Sequence, residues 1–75
     1  MNISAYIDQE AIKAKYAPHH TTYAFSAGYE AVLAGRNWLR HAYTGGREQA
    51  YDRGVQAACE VVKLQGWIDS TVGAD

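Results

Sequence analysis

Seventy-five residues form one domain with no room for a second, and below roughly 70 to 80 residues a single core supplies only about 3 to 5 kcal/mol of stability. Hydrophobic residues make up 48% of the chain and charged residues 20%, with one proline and seven glycines, which excludes a disordered tail protein. Seven Lys and Arg against eight Asp and Glu leave a net charge of −1, so generic electrostatic binding to nucleic acid or anionic membrane is excluded and any such contact must be local.

The first element expected is a helix over residues 1–17, because Ile3, Ile7, Ala11, Ile12 and Tyr16 recur on one helical face. Ser4 or Asn2 can cap it and Pro18 ends it. Asp8 and Glu10 come early, and Lys13 and Lys15 late, as a helix dipole favours. Ile3, Ala5 and Ile7 also alternate, which leaves a short strand over residues 2–7 as the weaker alternative.

A second helix is expected from about Tyr23 to Ala34, capped by Thr21 or Thr22 and stopped by a left-handed Gly35. Its large apolar residues are Tyr23, Phe25, Tyr29, Val32 and Leu33. Ala24, Ala27, Gly28, Ala31 and Gly35 form a stripe of small residues that admits a close neighbour. Glycine inside a helix costs about 1 kcal/mol relative to alanine, so close packing is the natural reason for Gly28.

Residues 36–43 form a helical turn or an ordered connection, and Thr44-Gly45-Gly46 breaks the chain. A third helix follows from about Arg47 to Gln65, stopped by Gly66. It carries Tyr51, Val55, Ala58 and Val62 on one side and Ala50, Gly54, Ala57 and Val61 beside them. Of the tail beyond it, Trp67 and Ile68 are expected to dock on the core, with Val72 as a further candidate.

An offset of 26 residues places Ala24 on Ala50, Phe25 on Tyr51, Gly28 on Gly54 and Ala31 on Ala57, a shared Ala-aromatic-x-x-Gly-x-x-Ala pattern. Matching small stripes predict an antiparallel αα-hairpin whose crossing uses Gly28, Ala31, Gly35, Gly54 and Ala57. The fold class is all-α: residues 1–75 as one small domain, with the N-terminal helix laid across a hairpin over residues 22–66 and a tail over 67–75.

The chain offers little for catalysis. Cys59 is the sole cysteine, which excludes an internal disulfide, and its place inside the third helix reads as core packing. His19, His20 and His41 lack Cys or acidic partners at a ligand spacing, so no metal is expected. Gly45-Gly46 lacks the sequence of a phosphate loop. No enzymatic activity and no cofactor are predicted.

Charge is distributed unevenly: −1 up to Gly35, +2 from Arg36 to Lys63, and −2 beyond. The middle connection gathers Arg36, Arg40 and Arg47 with Trp38, His41 and Tyr43, and has no acid before Glu48. It is the one stretch offering both cationic donors and stacking faces, the chemistry of an RNA contact. The competing reading has Trp38, Leu39 and Tyr43 closing the core while the arginines point into water.

Three runs of sequence then carry a specific resemblance: Gly28-Tyr29-Glu30-Ala31-Val32-Leu33-Ala34-Gly35-Arg36, Tyr43 eight residues after Gly35, and Ala50-Tyr51-Asp52-Arg53-Gly54. Together they resemble the ribosome modulation factor family of small bacterial and phage-encoded proteins, over about Ala24 to Ala58. Ala42 stands where that family has a proline and Val55 where it has a tryptophan. The resemblance implies a helical hairpin, a ribosome or ribosomal RNA partner, and a role in lowering translation. The alternative is a small phage-type inhibitor or adaptor that grips a host or defence protein through an aromatic surface.

Six tyrosines, two tryptophans and a phenylalanine exceed what so small a core can hide, which predicts a homodimer. No apolar run approaches the roughly 20 residues of a membrane span, and the N-terminus lacks a signal pattern. A cytoplasmic, membrane-free protein is expected.

Overall fold

In the computed structural model, which describes residues 3–17 and 23–72, Asp8 opens the first helix. Its carboxylate accepts from the Ala11 amide at 3.0 Å, satisfying one of the donors that a helix start leaves free. α1 spans Gln9–Tyr16 and closes with the Ala17 amide on the Lys13 carbonyl at 2.9 Å. It is therefore shorter than the helix expected over residues 1–17. Ile3 and Ile7 reach the core from a turn, closed by the Ile7 amide on the Ser4 carbonyl at 3.1 Å. Among the described residues there is no strand. Asn2, Pro18, Thr21 and Thr22, expected as caps and stop, lie outside the described residues.

α2 spans Tyr23–Leu33. Its end is a Schellman motif: Gly35 has φ +70°, the Gly35 amide donates to the Val32 carbonyl at 3.1 Å, and the Arg36 amide donates to the Ala31 carbonyl at 2.9 Å. Gly35 thus acts as the stop alone. Nothing lies within 4 Å of a Cβ built on it, so it takes no part in the helix crossing.

α3 spans Gly46–Val72 and passes straight through Gly66. A glycine stops a helix by adopting the left-handed conformation, and among the described glycines only Gly35 and Gly45 have positive φ. Beyond Gly66 the helix still has packing to gain, because Ile68 joins the core cluster. The residues assigned to a tail from 67 on are helical through Val72, and Trp67 does not dock: it is 66% exposed. Gly66 sits in open space, with nothing within 4 Å of an added Cβ. Gly66→Ala is therefore expected to stabilise the protein by about 0.5 to 1 kcal/mol. Thermal unfolding followed by circular dichroism should show a higher Tm, and a lower one would contradict a continuous α3.

In the hairpin of α2 and α3, Gly28 faces Tyr51 and Gly54 faces Phe25. An added Cβ on Gly28 would overlap the Tyr51 carbonyl oxygen. One on Gly54 would overlap the Phe25 carbonyl oxygen and come within 3.0 Å of the Tyr29 nitrogen. The two contacts exchange under the 26-residue offset, so the repeated pattern is a near two-fold crossing in space. Ala57 is fully buried and Ala31 half-buried.

The core continues with Phe25, Tyr29, Ala57, Ala58 and Val61, all 2% exposed or less. These residues fix the register of α3, and one further step turns about 100° away. Cys59 is consequently exposed rather than packed.

α1 lies on α3 and reaches α2 through Tyr29, whose hydroxyl donates to Gln9 Oε1 at 2.5 Å while Lys13 Nζ sits 4.6 Å from its ring centre. Glu60 on α3 receives Lys15 Nζ at 2.8 Å and the Tyr16 hydroxyl at 3.2 Å. The hydrogen bond from Lys15 is the main cause holding the Glu60 carboxyl below its ordinary range, and the same bond raises the Lys15 ammonium. The buried Gln65 accepts from the Ser4 amide at 2.6 Å and donates to Asp69 Oδ1 at 2.8 Å, tying the N-terminal turn to α3. The outcome is an elongated molecule of 46 × 26 × 13 Å.

Candidate functional site

The connection between α2 and α3 occupies residues 34–45. The Schellman motif delivers Arg36 into solvent at its start. A turn follows, with the Arg40 amide on the Asn37 carbonyl at 3.2 Å. It leaves Trp38 36% and Leu39 74% exposed, so these two do not close the end of the core. The chain then folds back onto α3. Tyr43 donates its amide to His41 Nδ1 at 3.2 Å, and both rings rest on Tyr51, at centroid distances of 4.2 Å for His41 and 5.3 Å for Tyr43.

Tyr51 links the fold to the site. Its backbone carbonyl lies against Gly28, and its ring, 4% exposed, is the floor on which His41 and Tyr43 sit. Burial, followed by neighbouring Tyr43 and Asp52, raises the Tyr51 phenol above its ordinary range, so it stays neutral near pH 7.

Beside this stack, at the start of α3, opens a groove of about 900 Å³ walled by Tyr23, Ala24, Tyr43, Thr44, Arg47 and Ala50. Of the residues expected to bind, Tyr43 and Arg47 line the groove and His41 lies in the adjoining stack. Arg36, Trp38 and Arg40 are exposed on the connection and do not line it. Among the described residues none of the three arginines has an ion pair. Unpaired guanidinium groups next to aromatic faces can fork onto phosphate oxygens while a base stacks.

Tyr23, 83% exposed, is a groove residue that the sequence analysis counts only among the large apolar residues of its helix. A helical projection would have separated it, since Tyr23 lies about 200° around the helix from Phe25.

A second groove, of about 510 Å³ and mostly apolar, runs between the N-terminal turn, α1 and the last turns of α3, with Tyr6, Ile7, Ile12, Leu64, Trp67 and Ile68 along it. It was hidden from sequence reasoning by the expected stop at Gly66.

Among the described residues no three His, Cys, Asp or Glu side chains gather as a metal site, and no helix is long and apolar enough to cross a membrane. His19 and His20 lie outside the described residues. No family model, no curated protein and no solved structure matches the chain.

Proposed function

We propose that this protein is a ribosome-associated modulator of translation that binds rather than catalyses, docking on ribosomal RNA through Arg36, Trp38, Arg40, His41, Tyr43 and Arg47. The observation that carries this reading is the set of three exposed arginines without ion pairs, Arg36 and Arg40 on the connection and Arg47 in the wall of the aromatic groove, in a chain whose net charge would otherwise give RNA no reason to approach. The resemblance of the Gly28 to Arg36 and Ala50 to Gly54 segments to the ribosome modulation factor family supports the same partner.

The local patch compensates for the charge balance, because phosphate contacts are made by individual side chains. A few arginines supply a moderate, salt-sensitive affinity, and stacking adds about 1 to 3 kcal/mol per base. Tagged protein in a bacterial lysate is expected to co-sediment with ribosomes at low salt. The double variant Arg36→Ala/Arg40→Ala should lose most of that association while keeping the wild-type circular dichroism spectrum. Recovery of one stoichiometric protein without ribosomes, insensitive to about 0.5 M salt, would instead establish the inhibitor or adaptor reading.

A further inference from the structure

The apolar groove at the far end of α3 is separate from the arginine patch and is not used by the proposed function. Tyr6 is 87% exposed, Trp67 66% and Leu64 40%, all along one groove whose base includes the buried Ile7. Large apolar side chains scattered singly on a surface need no explanation, but a groove flanked by two protruding aromatic rings has the make-up of an interface centre.

We propose that this groove is the self-association face of the protein, occupied by the Trp67 and Tyr6 side chains of a second copy in a two-fold dimer. A two-fold interface requires that one patch carry both the projection and the recess that receives it. Here Trp67 and Tyr6 project beside the recess they would fill on the other copy.

The exposed area of the elongated chain is enough to supply such an interface. The chain exposes 5373 Å². A compact monomer of this mass exposes roughly 4,600 Å². The excess, about 800 Å², is what each partner of a standard stable interface covers. The radius of gyration of 13.0 Å likewise exceeds the roughly 11 Å of a compact chain of this length. A net charge of −1 sets no repulsion against self-association, and the short chain has few other sources of support.

Sedimentation equilibrium of the purified full chain from about 1 to 500 μM tests this. The wild type is expected to move from 8.3 kDa towards twice that mass as concentration rises. Trp67→Ala should weaken the dimer at least tenfold. Tyr6→Ser, at a position 87% exposed and therefore safe for the fold of the monomer, should weaken it as well and serves if Trp67→Ala unfolds. In Trp38→Phe protein, where Trp67 is the only tryptophan, its emission should shift to shorter wavelength over the same concentration range. A wild type that stays monomeric throughout, including one whose groove is filled by a different protein, would overturn the proposal. So would a dimer that neither variant weakens.

Discussion

Gly54→Ala is expected to lower the Tm by about 10 °C or more, although alanine is the better helix former by about 1 kcal/mol. The sign is set by what the new methyl group meets: the Phe25 carbonyl oxygen and the Tyr29 nitrogen, both backbone atoms of α2. A side chain in that position could swing aside, but backbone cannot, so the two helices must separate and the core between them loosens. Overpacking of this kind costs about 1 to 3 kcal/mol after any gain in propensity, and Leu at Gly28 or Gly54 should cost more. The same substitution at Gly66 has the opposite sign, so the three glycines form an internal control that a propensity argument alone cannot reproduce. An unchanged Tm in Gly28→Leu and Gly54→Leu would refute the close crossing.

Phe25→Ala should leave the protein largely unfolded at 25 °C. Phe25 is 1% exposed, its ring stacks with that of Tyr29 at a centroid distance of 6.5 Å, and its backbone is the surface on which Gly54 rests. Removing a buried phenylalanine costs about 3 to 5 kcal/mol. That equals the whole stability a core of this size provides, about 3 to 5 kcal/mol. Loss of the helical circular dichroism signal is the expected readout, and a cooperative transition within a few degrees of the wild type would contradict the placement of this ring in the centre of the core.

The hairpin was legible because glycine inside a helix is unfavourable, so the equivalent placing of Gly28 and Gly54 in two Ala-aromatic-x-x-Gly-x-x-Ala segments demanded a packing reason. Backbone contact between the helices supplies it. Gly66 misled because residue type does not reveal backbone conformation. Gly35 and Gly66 both follow apolar helical runs, yet only Gly35 takes up positive φ. The difference lies downstream: Arg36 and Asn37 offer the core nothing, whereas Ile68 extends it. The start of α1 was misplaced because Ile3 and Ile7 fit a helical period while reaching the core from a turn, and Asp8 carried the real capping signal. Cys59 was misassigned from the habits of its residue type, although the register set by Ala57, Ala58 and Val61 turns it outward. The candidate patch of the connection was legible as a run of arginines and aromatics without acids. Its groove was not, because Tyr23 enters from another helix and tertiary neighbours leave no mark in local spacing.

Binding of the purified protein to purified ribosomes, measured as affinity against salt concentration, tests the proposed function most directly. Three arginine-phosphate contacts predict that log K falls with log salt at a slope of about −2 to −3. Arg47→Ala, at a solvent-exposed position in the first turn of α3, should reduce that slope by about 1 and leave the fold intact. No measurable association at about 50 mM salt, or a binding constant indifferent to salt and to all three arginine substitutions, would contradict it.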